Sequence, residues 1–357
     1  MKILAITNEK GGVGKTFLAT QLALYCAKQF SIKTAVIDLD SQGNATHMLH
    51  KNKLAYDAPF CSLELLKPDF ERCVNLLKSQ PMEAECPLLL IPAPEQGQDL
   101  INHTEQNEAD LVKSISYFSQ AMDELDDLLD LAIIDTNPNP DMRSTCALFN
   151  CTHSIFPIQL LYESLTGVQS LYDRLNKFTS GAPRFDQEHG DLGLLPSMVE
   201  STPYQIKAGL ELAEKQADLL TPIREAVVTT GPDNTISVTE KECFAAIKRR
   251  TVFAEAQGEG HPVWEMPNSD RGWYELKRTF FALLERLDVT FEPHPTPEQE
   301  QAFAECKELH PQHYRALVRQ LWLSNNFKDL PKLTKSHEHT LALLNMRHNV
   351  PLSYLND

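Results

Sequence analysis

Positive charge is scarce in this 357-residue chain: 33 Lys and Arg stand against 49 Asp and Glu, for a formal net charge of -16. A protein that coats nucleic acid by charge neutralisation is normally basic, so any DNA contact here has to rest on a local patch. Long apolar runs are missing too. None reaches the roughly 20 residues that cross a bilayer. The N-terminal MKILAITNEKGG passes from a short apolar run into Asn8 and Glu9 without a small-residue cleavage site, so it does not read as a secretory signal. The expected location is the cytoplasm. The eight cysteines include no C-x-x-C pair, which argues against a zinc ribbon or an iron-sulfur site, and a cytosolic setting argues against disulfides. The twelve histidines show no H-x-x-x-H spacing on a clear helix face, and no internal repeat is visible. What remains is a globular composition, 42% hydrophobic and 23% charged. The acidic run MDELDDLLD (122–130) reads as a solvated helix face.

Strand and helix patterns alternate along most of the chain. KILAIT (2–7), TAVIDLD (34–40), PLLLIPA (87–93), LAIIDT (131–136), THSIFPIQ (152–159), LGLLPSMVE (192–200) and EAVVTT (225–230) are short apolar, β-compatible runs. Helical spacing occupies 16–29, 109–130, 161–178, 203–219 and 271–288. Strands alternating with helices predict an α/β protein with a doubly wound, mostly parallel sheet. FEPHPTPEQEQ (291–301) is proline-rich and polar, which marks a boundary. The expected division is therefore 1–290 as one domain and 291–357 as a linker with a C-terminal helical appendage. Tyr314, Leu317, Leu321, Trp322 and Phe327 make that extension too apolar for a free linker.

EKGGVGKT (9–16) lies between the first strand and the first helix. The phosphate-loop pattern G-x-x-x-x-G-K-[ST] needs glycine at position 9, where this chain has Glu9, yet Gly14, Lys15 and Thr16 are in place. Backbone N–H groups from Gly11, Gly12, Val13, Gly14, Lys15 and Thr16 at a helix N-terminus form an anion site. Lys15 there meets β- and γ-phosphate oxygens, and the Thr16 hydroxyl ligates Mg²⁺.

KGGVGKT, AVIDLDSQGNAT and LAIIDTNP together resemble the deviant Walker A, switch I and Walker B series of the ParA/MinD ATPases, over residues 1 to 290. The resemblance implies a P-loop NTPase fold, ATP and Mg²⁺ as ligands, and a homodimer in the ATP state. It implies that Lys10 reaches across that dimer to the partner's phosphates, which accounts for the lysine at the loop's start. It assigns Lys10, Lys15 and Asp40 to catalysis, with Asp40 the switch I aspartate. Thr16, Asp38 and Asp135 fall to the metal shell. Ser41 and Asn137 depart from the family's D-P-Q-G-N and D-T-P-P patterns, which bears on switch movement.

The implied activity is slow ATP hydrolysis, stimulated by a ParB-like or other adaptor, in segregating or positioning plasmid or chromosomal DNA in a bacterial cytoplasm at the nucleoid. Lys248, Arg249 and Arg250, with Lys277 and Arg278 on the helix 271–288, form the candidate stripe for non-specific DNA. The chain starts almost at its first strand, so an N-terminal helix-turn-helix domain and specific operator binding are not expected. A ParA-like positioner of another cargo and a MinD-like membrane cycle are the alternatives. LALLNMRHNVPLSYLND, broken by Asn349 and Pro351, makes a poor amphipathic anchor, so no membrane contact is expected. An iron-sulfur electron-transfer ATPase would need cysteines such as Cys146 and Cys151 to bridge a cluster, and a non-hydrolysing scaffold would differ only in turnover.

Overall fold

A computed structural model describes residues 1–289, except 31, 52, 80–86, 98, 100–107, 140, 162–189 and 231–235. The extension 291–357 and nearly all of the expected helix at 161–178 lie outside the described residues. Seven strands form one sheet: β1 (Lys2–Ile6), β2 (Thr34–Asp38), β3 (Tyr56–Asp57), β4 (Leu88–Ile91), β5 (Leu131–Asp135), β6 (His153–Ile158) and β7 (Gly190–Pro196). Their order is β3-β4-β2-β5-β1-β6-β7 and every pairing is parallel. Among the described residues the helices are α1 (Lys15–Phe30), α2 (Asn44–Lys51), α3 (Phe70–Lys78), α4 (Glu108–Leu125), α5 (Met142–Asn150), α6 (Pro203–Lys215), α7 (Thr251–Glu259) and α8 (Asp270–Arg286).

Every residue of β2, β4, β5 and β6 is buried, as a sheet covered by helices on both faces requires. Alternation along the strands divides the core in two. Leu4, Ile6, Val36, Leu90 and Ile133 meet α1, α2, α7 and α8 on one face. Ile3, Ala5, Ile37, Ile91 and Ile134 meet α3, α4, α5 and α6 on the other. Helix α1 is apolar nearly all round, with Phe17, Leu18, Leu22, Leu24, Tyr25 and Phe30 buried, so it is enclosed by its neighbours. Tyr25 sits edge-on to Phe30 at 5.0 Å and to Trp273 at 5.3 Å, and Trp273 packs on Trp264 at 4.7 Å. This aromatic cluster locks α8 onto α1.

One expected strand belongs elsewhere. Residues 225–230 do not extend the sheet; they are part of β8 (Pro222–Thr230), which pairs antiparallel with β9 (Ile236–Phe244) in an unbroken register from Pro222↔Phe244 to Thr230↔Ile236. Both flanks of this hairpin run along the sheet's edge strand. Thr221 donates to the Leu194 carbonyl at 2.9 Å before it, and Ile247 donates to the Pro196 carbonyl at 2.8 Å after it. An apolar β-compatible run carries no sign of which partner it takes, and β9, rich in charge, lacks the apolar run that marks the other strands.

Phe280, fully buried against Tyr25 and Trp273, gives a direct test of how much the aromatic cluster contributes. Phe280→Ala should cost about 3–5 kcal/mol in urea denaturation with an unchanged m-value. A loss below about 1 kcal/mol would show that the cluster relaxes around the cavity.

Candidate nucleotide-binding site

The site follows from strand register. Ile6 of β1 lies opposite Asp135 of β5, and Asp135 lies opposite Asp38 of β2. Adjacent strands stand about 4.8 Å apart, so the glycine loop and both aspartates leave the sheet from one line. β1 has β5 and β2 on one side and β6 and β7 on the other, which makes its C-terminal end the point where connections diverge and a crevice opens.

The loop after β1 is held in shape from three sides. Asn8 accepts the Lys10 N–H on its Oδ1 at 2.7 Å and donates from Nδ2 to the Pro157 carbonyl at 2.8 Å. Gln159 donates to the Gly12 carbonyl at 3.0 Å. Gly12 and Gly14 have φ of 72° and 89°, a left-handed conformation that glycine adopts without strain. A Cβ on Gly14 would also stand 2.9 Å from the Ser197 hydroxyl, whereas Gly11 and Gly12 face open space. Val13 is buried, so its side chain anchors the loop and only its backbone is available to a phosphate. Lys15 points back into the loop, its Nζ donating to the carbonyls of Asn8 at 3.0 Å and Lys10 at 3.1 Å. Burial pulls its ammonium pKa down, while Asp135 and Asp40 push it up. Lys10 is half-buried at the loop's start.

The three aspartates differ in what they hold. Asp38 accepts from the Thr46 N–H at 2.9 Å, the Thr46 hydroxyl at 2.8 Å and the Asp40 N–H at 3.1 Å. Burial pushes its carboxyl up to about 6 despite these bonds. Its oxygens therefore organise the switch I turn. Asp40 caps that turn, its Oδ1 accepting from Gln42 N–H at 3.0 Å, and its carbonyl accepts from Gly43 at 2.9 Å. The following loop presses on it: a Cβ on Gly97 would fall 2.0 Å from the Ser41 carbonyl oxygen, and Ala93 donates to the Thr46 hydroxyl at 2.9 Å. Asp135 is fully buried, and its carboxylate oxygens lack a well-formed hydrogen bond, with only a weak donation from the Thr16 side chain. Burial first, then repulsion from Asp38, raise its pKa well above the ordinary range, offset in part by Thr16 and Lys15.

An under-bonded buried carboxylate beside the Thr16 side chain and an open glycine cradle fits a hard cation shared with phosphates. Among the described residues no group of three or more His, Cys, Asp or Glu side chains cages a metal. Mg²⁺ needs no such cage, since it keeps waters and takes phosphate oxygens as ligands. Thr46, Asn8, Gln159 and Ser197 are not legible as site residues in the sequence, because each acts through a contact that is distant in sequence or through backbone atoms.

The basic stripe is corrected. Lys277 is 2% exposed, its Nζ 5.8 Å from the Trp273 ring centre, and burial pulls its pKa down to about 7. It does not face solvent. Arg278, on the same helix, is also largely enclosed, and burial pulls it down to about 10. The phase of α8 explains this: Trp273 precedes Lys277 by one turn, so both fall toward the core side. Lys248 and Arg250 share Glu275 at 3.5 and 2.6 Å, and Arg249 pairs with Glu200 at 2.7 Å. Cys146 and Cys151 lie in the core, with burial raising both thiols.

Residues 1–184 match the family model described as an AAA domain. The chain belongs to the ParA/MinD family of deviant Walker A ATPases. It is 25% identical over 267 residues to Protein IncC of Escherichia coli, covering 74% of this chain and 63% of that protein. It is 31% identical over 173 residues to the sporulation initiation inhibitor protein Soj of Bacillus subtilis, covering 48% of this chain and 63% of Soj. The chain thus spans less than two thirds of either relative. The chromosome-partitioning ATPase Soj of Thermus thermophilus is 30% identical over 204 residues, 55% of this chain and 69% of that one. An ATP complex of McdA from Cyanothece has the same fold, with a TM-score of 0.56 at 19% identity over 82% of this chain and 99% of McdA. So has the septum site-determining protein MinD of Pyrococcus horikoshii with Mg-ADP, at 0.52, 16% identity, and 80% and 96% coverage.

A carboxyl group with a raised folded pKa lends stability at low pH and loses it as pH rises through the folded value. At neutral pH Asp135 therefore costs the nucleotide-free protein stability. Asp135→Asn should raise the thermal midpoint at pH 7.5 by about 2 °C or more, and by less at pH 4.5, because the upward shift reduces the buried charge there. Scanning fluorimetry at the two pH values checks this; a lower midpoint at pH 7.5 would contradict it.

Proposed function

We propose that this protein is an ATP-dependent positioning ATPase of the partition type. It binds Mg²⁺-ATP, dimerises around two nucleotides, hydrolyses slowly, and is stimulated by a ParB-like or other adaptor. The observation that carries this reading is the under-bonded Asp135 carboxylate, buried beside Thr16 and Lys15 at the mouth of an open glycine cradle. Backbone N–H groups of residues 11–16 hold the phosphates, and Lys15 leaves the Asn8 and Lys10 carbonyls to meet them. Thr16 and Asp135 would hold Mg²⁺, while Asp38 keeps the switch I turn in place. Bound there, the ion neutralises charge on the β- and γ-phosphates. Asp40 orients the attacking water. Lys10 acts on the partner's nucleotide, so one protomer alone is a poor catalyst.

The Thermus thermophilus relative is named a chromosome-partitioning ATPase, which favours DNA as the cargo. The surface supports a weaker contact than five basic residues would give, because Lys277 is buried and Lys248, Arg249 and Arg250 are ion-paired. The exposed Arg249–Glu200 pair contributes only about 0–1 kcal/mol, so phosphates can compete for Arg249 more readily than for the part-buried Arg250, and dimerisation would double the number of such groups. Positioning of a cargo other than DNA is the second reading, favoured by that same neutralisation. No described helix is long and apolar enough to cross a membrane.

Isothermal titration should show ATP binding abolished in Lys15→Ala and preserved in Asp40→Ala, with turnover lost in the latter. Light scattering of Asp40→Ala with ATP should give a dimer that Lys10→Ala weakens. Two unrelated labelled duplexes should bind this ATP dimer equally and the ADP state poorly, with charge reversal at Arg249 and Arg250 abolishing it. Unchanged ATP affinity in Lys15→Ala would overturn the nucleotide reading. No binding of either duplex at low salt would select the second one.

A further inference from the structure

Helix α5 begins just beyond Asp135, and its first turn is unusual in charge. Asp141 caps the helix, its Oδ1 accepting the Arg143 N–H at 2.9 Å. Arg143, in the first turn, is 2% exposed. A cation at a helix N-terminus opposes the macrodipole, and burying a guanidinium costs free energy unless it is fully paired. Simple capping needs Asp141 alone. Arg143 is paired: Asp141 Oδ2 accepts from its Nε at 3.0 Å and from its Nη2. The same oxygen accepts from Asn137 Nδ2 at 2.9 Å, a donor that proline, the residue in the family's pattern at this place, does not have.

The remaining arm of the fork explains the placement. Arg143 Nη1 donates to the Leu39 carbonyl at 3.4 Å, and the Leu39 N–H donates to the Asp135 carbonyl at 3.0 Å. Leu39 stands between Asp38 and Asp40. Its peptide is therefore tied on both sides to the segment that carries Asp135, and the direction in which the chain enters the Asp40 turn is set by those two bonds.

We infer that Arg143 is a positioning residue for ATP hydrolysis: through Asn137, Asp141 and the Leu39 carbonyl it fixes the switch I aspartate Asp40 relative to Asp135 and Lys15. This rests on the ATPase reading above. Arg143 touches no nucleotide atom in this scheme, so its loss lowers turnover and leaves ATP affinity in place. The departure from proline at position 137 is then accounted for, since Asn137 supplies the third donor that holds Asp141 against the guanidinium.

The test compares the full chain with Arg143→Met, Arg143→Lys and the double variant Asp141→Asn/Arg143→Met. The double variant removes both charges, so it still decides the matter if the stranded Asp141 unfolds the single one. Titration calorimetry with ATP, steady-state turnover, and amide exchange of the nucleotide-free proteins are the readouts. Each folded variant should keep ATP affinity within about threefold while kcat falls about tenfold or more. Exchange should accelerate at 39–43 and not along β1 or the glycine loop. Arg143→Lys keeps the charge and loses the fork, so it should stay slow; full rescue by lysine would overturn the geometric role. Turnover within about twofold of the native protein in the double variant, or equal losses in affinity and turnover, would also overturn it. If the native chain shows no ATP turnover at all, the ATPase reading fails, and exchange alone then decides this one: unchanged protection at 39–43 in the variants defeats it, and local loss upholds it.

Discussion

Parallel register places Ile6, Asp135 and Asp38 on a single line, and nearly everything else about the site depends on that alignment. Each strand ends there and hands over to a loop: β1 to the glycine cradle, β2 to the switch I turn, and β5 to the Asn137–Asp141 segment. A slip of one residue in either pairing would reverse the faces of a strand and send one aspartate out of the crevice. Full burial on both faces prevents it. The two hydrophobic layers that stabilise the domain are thus also what sets the distances between its charged groups.

Those charges are unbalanced in an instructive way. One buried lysine, Lys15, feels the charges of Asp135 and Asp40, and Asp135 is also repelled by Asp38. Asp38 has three hydrogen bonds and Asp135 has none that is well formed. Phosphates would add more negative charge to this pocket, so binding needs further cations. In the proposed reading a divalent ion near Asp135 would be one source, and a lysine from a second copy the other. Lys10, at the loop's start, suits the second role because Lys15 already occupies the inner position. Burial of unpaired charge here lowers the stability of the nucleotide-free protein, which is the expected cost where a site is built for a charged ligand.

The sheet and the nucleotide loop are legible in the sequence because each has a local signature. Lys2–Ile6, Thr34–Asp38 and Leu131–Asp135 are short apolar runs that end at Gly- or Asp-containing turns, and the KGGVGKT loop joins a strand to a helix. Asp135 can be named from its place at a strand end. How the aspartates divide their work is not legible, since Thr46 reaches Asp38 from the next helix, eight residues on. The β8–β9 hairpin escapes the sequence because a strand pattern does not name its partner. Lys277 misleads for a related reason: on a helix its direction depends on whether the Trp273 face or the opposite one packs inward, and that is decided by Tyr25 on α1, some 250 residues away.

The buried lysine changes how surface charge and function are connected. With Lys277 in the core and Arg278 largely enclosed, the basic group narrows to the exposed Lys248 and Arg249 and the part-buried Arg250 on the segment leading into α7. Glu275 and Glu200 hold those three in defined positions, so the patch is preorganised but close to neutral in a single copy. Counterion release on a polyanion follows the number of phosphates contacted at once, and a protomer offering three paired cations contacts few. If two copies are held together by nucleotide, as proposed, they would present six, and the entropy of bringing the second set to the same surface would already be spent. On that reading a near-neutral patch would make a sharper switch than a strongly basic one, because the monomer would have almost no affinity for a polyanion to lose.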